Sequence, residues 1–116
     1  MKFSLLQKEQ LKQVAEPIWK NIIDSAGRRD YAGFSRGFSS ELLAKLSEEH
    51  FFQSVEDFPL LTTIEPEFEF IDTVQRENSI TILWRLTSSR FAGEFLGILT
   101  LQNGDSGMEI TSVSVN

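Results

Sequence analysis

Few residues in this chain are suited to acid–base chemistry. His50 is the only histidine and there is no cysteine. That leaves no second imidazole for a multi-histidine metal site, and it excludes disulfides, thiolate zinc sites, iron–sulfur clusters and cysteine nucleophiles. In Ser47-Glu48-Glu49-His50 the imidazole sits at a helix start, which disfavours its charged form. It reads as a first-turn surface residue rather than the base of a Ser-His-Asp or His-Asp relay. The candidate general base is Asp72. It continues the period-two face of Phe68 and Phe70, so without a bulge it points to the apolar side, where desolvation would raise its pKa. A carboxylate in such a pocket abstracts a proton beside a carbonyl, and Tyr31 is the candidate polarising donor. The alternative is a solvated carboxylate at a strand end.

A cavity for such chemistry would be walled by Trp19, Tyr31, Phe34 and Trp84, with the hydroxyl and indole N–H groups as its few polar contacts. With ten phenylalanines to bury, Phe34 and Phe38 fit a plain core better, whereas Trp19, Tyr31 and Trp84 suit a cavity wall and a core equally. Arg85 lies on the strand face opposite Trp84, beside Leu83, and suits a cross-strand ion pair with Glu69 or Glu67. Glu65, Glu67 and Glu69 share one strand face near Glu56 and Asp57. Same-face residues stand about 6.8 Å apart along a strand, too far for a chelate without a carbonyl-rich loop. They read as charges that guard a sheet edge, and no metal is expected. Nor is there a glycine-rich phosphate cradle after a strand, or a calcium-loop spacing in Asn103 to Gly107.

These residues are carried by a helical half followed by a strand half. Leu11, Val14, Ala15, Ile18, Trp19, Ile22, Ile23 and Ala26 draw one continuous stripe at helical spacing. Ser4 and Gln7 have the form of a capping box and Gly27 is a natural stop, which predicts a helix of about 33 Å at 1.5 Å per residue. The stripe keeps its phase across Pro17, which predicts one kinked helix rather than two. Asp30 can cap a short helix carrying Tyr31, Phe34 and Phe38. Ser39 or Ser40 and then Ser47 can cap two more, with helix ending near Phe58 before Pro59. Beyond that the period is two. Strands are predicted around Phe68 to Asp72, Ser79 to Thr87, Phe95 to Leu101 and Met108 to Val115, joined by connections short enough for an antiparallel meander. The stretch Phe95 to Leu101 is apolar on both faces, so both faces of the sheet need cover. The helices supply one, and a second copy of the chain, contacting Leu83, Arg85, Leu96 and Ile98, is the expected other. Gly97 in mid-strand suggests a bulge or bend.

The 116 residues suit a single domain with its own core. No run reaches the about 20 apolar residues of a membrane helix, and Met1 to Lys8 turns polar before a signal-peptide core forms, so a cytoplasmic, non-membrane protein is expected. The net charge is −6, with −7 on residues 51–116 and +1 on residues 1–50. That half repels phosphate backbones, and Arg28-Arg29 is too small a patch to bind nucleic acid.

The long kinked helix, the turn Ala26-Gly27-Arg28-Arg29-Asp30-Tyr31-Ala32-Gly33-Phe34, two further short helices and the antiparallel meander together resemble the nuclear-transport-factor-2-like superfamily, an α+β architecture shaped as a cone. The resemblance covers nearly all of residues 1–116 and is architectural. The family often has short strands after its second helix, for which residues 39–41 leave no room. The resemblance implies a pocket between the long helix and the concave sheet, and a frequent dimer. It also implies membership of a superfamily split among enzymes, ligand binders and interaction modules. The leading expectation is a non-catalytic homodimeric domain that binds a small apolar ligand or a protein. The alternative is a cofactor-independent lyase or isomerase using Asp72 and Tyr31. No cofactor is expected under either.

Overall fold

A computed structural model describes residues 7–104 and 107–116. Its first element is a 20-residue helix, α1 (Lys8–Gly27), which buries Leu11, Ala15, Trp19, Ile22, Ile23 and Ala26 along the predicted stripe. Gln7 precedes it, with its amide hydrogen-bonded to Gln10 Oε1 at 2.9 Å. The expected Ser4 cap lies outside the described residues. Pro17 is inside the helix and exposed. The carbonyl it leaves without an amide partner is that of exposed Gln13, where water can serve it, and α1 continues as one helix. The chain then turns sharply. Arg29, not Gly27, takes the left-handed conformation (φ 55°), and the Asp30 side chain accepts from the Gly33 amide to start α2 (Tyr31–Phe34).

That second helix is shorter than expected. Gly37 adopts φ 82°, which ends any helical path, and Phe38 leaves the Tyr31–Phe34 face to form a bridge with Ile110. Ser39 caps α3 (Ser40–Lys45) through the Leu42 amide, and Ser47 caps α4 (Glu48–Asp57) through the His50 amide, as their sequence positions predict. A single 3-10 turn (Leu61–Thr63) leads out of the helical half.

Four strands follow: β1 (Glu69–Gln75), β2 (Ser79–Thr87), β3 (Glu94–Gly104) and β4 (Gly107–Val115). They pair antiparallel in the order β1-β2-β3-β4, an open meander. The fold is therefore the α+β class expected. The first strand begins later than its glutamate pattern suggests, so Glu65 and Glu67 are not on a strand at all. The chain through Pro66 is instead held by the Glu65 amide donating to the Thr87 carbonyl at 2.9 Å. Ile80, Ile82, Trp84, Leu86, Leu99, Leu101 and Ile110 face the helices and are buried with the α1 stripe. Thr81, Leu83, Leu96, Ile98 and Thr100 face the other way and are only half-buried.

At the centre of the core Trp19 and Trp84 stack, ring centroids 5.9 Å apart and 11° from parallel. Phe68 and Phe70 meet Trp84 edge-on at 5.1 and 5.9 Å. Gly97 makes this possible. It lies opposite Trp84 and Val115 in unbroken register, and a Cβ there would overlap Trp19 Cζ2 and Cη2. The expected bulge at Gly97 is absent; the β3–β4 register instead shifts between Thr100 and Leu101. The glycine is needed because α1 presses an indole against the strand backbone.

Candidate functional site

Asp72 does not face the core. The β1–β2 register slips between Phe70, opposite Trp84, and Asp72, opposite Leu83, so one extra residue at Ile71 turns the carboxylate to the outer side. Its side chain is 52% exposed and lies 2.7 Å from the Lys8 ammonium. The hydrogen bond from Lys8, reinforced by one from the Thr73 amide, holds its pKa below the usual carboxylate value. This is the opposite of the upward shift expected for a buried base. A carboxylate whose folded pKa is lowered stabilises the fold above its unfolded pKa of about 3.9 and loses that contribution as pH falls below it. Asp72→Asn is accordingly expected to leave a stability profile parallel to the parent protein between about pH 6 and 8, and to differ in slope only on the acid limb below about pH 4. Urea midpoints measured across this range check it. A slope change near neutrality would instead reveal a carboxylate with a raised pKa.

Tyr31, the other member of the expected pair, is half-buried, and its hydroxyl donates to the Leu46 carbonyl at 2.7 Å. That bond ties the start of α2 to the end of α3. Tyr31 and Asp72 therefore answer to different parts of the molecule, one to the helix-side core and the other to solvent at Lys8. His50 is exposed, with Nδ1 3.0 Å from Ser47 Oγ. Among the described residues no group of three or more histidine, aspartate or glutamate side chains is arranged to hold a metal ion.

Of the expected cavity walls, Trp19, Phe34 and Trp84 are fully buried. The two tryptophans fill the space between α1 and the sheet with their own rings, and neither indole N–H finds an acceptor among the described residues. Phe34 packs against Phe51 at 4.7 Å and Phe38 at 5.3 Å. Its far side forms the floor of an open cleft of about 390 Å³ between α4 and β4, where Leu46, Leu60 and Val113 also contribute. Phe58, 68% exposed, stands at the rim of this cleft and stacks against Phe91 at 6.4 Å.

A larger cleft, about 570 Å³, runs along one flank of α1. Ile23, Ile64, Pro66 and Phe68 provide apolar walls, and Lys20, Asp24 and Arg28 stand at its edge. Arg28 is committed to Asp24 at 2.8 Å and lies 3.9 Å from Asp30. Asn21 is likewise committed, donating to the Gly33 carbonyl at 2.9 Å. Lys20 has no ion-pair partner among the described residues. The size is in the range of small-molecule sites, and the lining holds an apolar body with room for one anionic group at Lys20. The sequence signal for this wall was the Pro59 to Pro66 interval, where neither period applies; reading Glu65 to Glu69 as strand concealed it.

The outer sheet face is the third surface. Ile71 (42% exposed) and Val74 (45% exposed) on β1, Leu83 on β2, and Leu96 and Ile98 on β3 form an apolar band across three strands, with Asp72 beside Leu83 at its β1 side. Arg85 lies at one end of it, 3.2 Å from Glu69 and 3.8 Å from Glu94, so the cross-strand ion pair expected of Arg85 forms. No described helix packs on this side, and no described helix is long and apolar enough to cross a membrane. Comparison with models of known protein families and with characterised proteins finds no match to this chain.

Proposed function

We propose that this chain is a non-catalytic, nuclear-transport-factor-2-like binding domain of the cytoplasm that works as a homodimer joined through its outer sheet face, and that the cleft beside α1 takes a small apolar ligand. The observation that carries the dimer is the apolar band of Ile71, Val74, Leu83, Leu96 and Ile98 on a face that no described element covers. Contiguous exposed apolar surface of this kind marks an interface, and a two-fold axis lets one such band cover another. The order of one long helix, short helices and a four-stranded meander supports the superfamily reading. The enzymatic alternative, a lyase or isomerase using Asp72 and Tyr31, has less support because the two side chains share no cavity.

Leu83→Lys places a charged ammonium within the band, on the strand neighbouring Asp72, while leaving the helix-facing side of β2 intact. Sedimentation velocity is expected to show the parent chain at twice its monomer mass and the variant as a folded monomer, with dimer affinity lowered by about 100-fold or more. Far-UV circular dichroism confirms that the variant is folded. A parent chain that sediments as a monomer at all concentrations would refute the dimer. Native mass spectrometry of the same samples reads any small molecule retained by the α1 cleft.

A further inference from the structure

The two edges of the sheet are not equally protected. At the β1 edge stand Glu69, Asp72 paired with Lys8, and the bulge at Ile71, all devices that discourage a further strand from adding. Among the described residues the β4 edge is covered only at its start, where the Ile110 amide donates to the Gly37 carbonyl at 2.7 Å and the Ile110 carbonyl accepts from Ser39 at 2.9 Å. Past the irregularity at Thr111 the strand reads Thr111-Ser112-Val113-Ser114-Val115, with no charge and no proline.

The direction of the remaining backbone groups follows from the register. Leu96 and Asn116 exchange a reciprocal pair of hydrogen bonds at 2.8 Å each. In an antiparallel ladder such pairs alternate, so Ser114 and Ser112 also turn their amides and carbonyls toward Ile98 and Thr100. Val113 and Val115 therefore turn theirs outward, and nothing among the described residues meets them. These two donor–acceptor pairs, about 6.8 Å apart, match the repeat of an extended polypeptide. They open onto the cleft of about 390 Å³ floored by Phe34, Leu46 and Leu60. Among the described residues of its lining Asp57 is the charged one.

We infer that the open half of β4 is a docking edge for an extended peptide of a partner protein, one with apolar side chains at alternate positions and a basic side chain that reaches Asp57. Residues placed opposite Val113 and Val115 share their face, so their side chains enter the cleft, while the residues between them point away. The basic residue follows from the Asp57 carboxylate at the cleft. A second copy adding its own β4 would bring no basic residue to Asp57, because Thr111 to Asn116 contains none. The edge lies to the side of the outer apolar band, so this inference stands apart from the proposed dimer.

The test begins with selection of random ten-residue displayed peptides on the intact protein, followed by fluorescence anisotropy with the enriched peptide. Enrichment of alternating apolar sequences carrying lysine or arginine is expected. N-methylation of alternate peptide amides, those facing Val113 and Val115, should weaken binding by about tenfold or more, while methylation of the intervening amides should not. Val113→Pro removes one outward amide without breaking a bond to β3 and should also cost about tenfold. Asp57→Asn should cost about threefold to tenfold and reduce the salt dependence. Amide exchange by NMR should slow at Val113 and Val115 on saturation, and Leu83→Lys should bind the peptide as the parent does. The N-methyl series uses the unaltered protein, so it decides the matter even if Val113→Pro fails to fold. Failure to enrich any peptide, or binding indifferent to the methylated position, would overturn the inference. So would concentration-dependent protection of the two amides without peptide, which would assign the edge to a second copy.

Discussion

Trp84→Ala is expected to remove a large part of this protein's stability at 25 °C. The side chain is fully buried and meets Trp19, Phe68 and Phe70, so it joins α1, the segment before β1, and β1 itself. Truncating a buried tryptophan to alanine costs about 3–5 kcal/mol, because the lost transfer energy is compounded by a cavity the surroundings cannot close. Domains of this size hold about 5–15 kcal/mol in total, so the loss takes much of the reserve. Guanidinium titration checks it, and a loss under about 1.5 kcal/mol would mean that the stack is peripheral to the core. Trp84→Phe should cost less than its change in volume suggests, since it also removes an indole N–H that has no acceptor among the described residues. If the Trp19–Trp84 stack contributes beyond burial, the double cycle through phenylalanine at both positions should return a coupling of about 0.5–1.5 kcal/mol.

The second large effect concerns Gly97, where two physical rules disagree in sign. Strand propensity favours alanine or valine over glycine in the middle of β3, by up to about 1 kcal/mol. Packing opposes it, because a Cβ at 97 overlaps the benzo ring of Trp19 and comes within 3.0 Å of Leu86 Cδ1. Trp19 cannot swing aside; it is fully buried on α1 and stacked on Trp84. Overpacking of this kind costs about 1–3 kcal/mol, so Gly97→Ala should destabilise and Gly97→Val more so. Phenylalanine lacks the two ring atoms that collide. In a Trp19→Phe background the cost of Gly97→Ala should therefore fall by more than half, and both comparisons are made from denaturant midpoints. A stabilising Gly97→Ala would show that propensity wins and that the indole has room.

The rules that succeeded on the sequence are those whose causes lie within a few residues. Helical spacing from Leu11 to Ala26 placed α1 and its buried face, and Pro17 was tolerated because its side of the helix faces solvent. Asp30, Ser39 and Ser47 each cap the helix that follows through an amide three residues on. Alternation from Ile80 to Leu86 placed β2, and short connections gave the meander order. The charge pair of Arg85 with Glu69 followed from their strand positions.

Tertiary structure decided the side to which the chemistry points. A single extra residue at Ile71 reverses every later side chain of β1, because a strand repeats every two residues, and so Asp72 went to Lys8 and solvent rather than to the core. The helical spacing of Phe38 gave way to a bridge with Ile110, more than 70 residues further along, which no local rule contains. Gly97 is required by an indole on α1 rather than by a bend in its own strand. Whether aromatic side chains wall a cavity or fill it depends on how closely separate elements approach. Here Trp19 and Trp84 meet face to face between α1 and the sheet, leaving the open clefts at the flank of α1 and beside the free edge of β4.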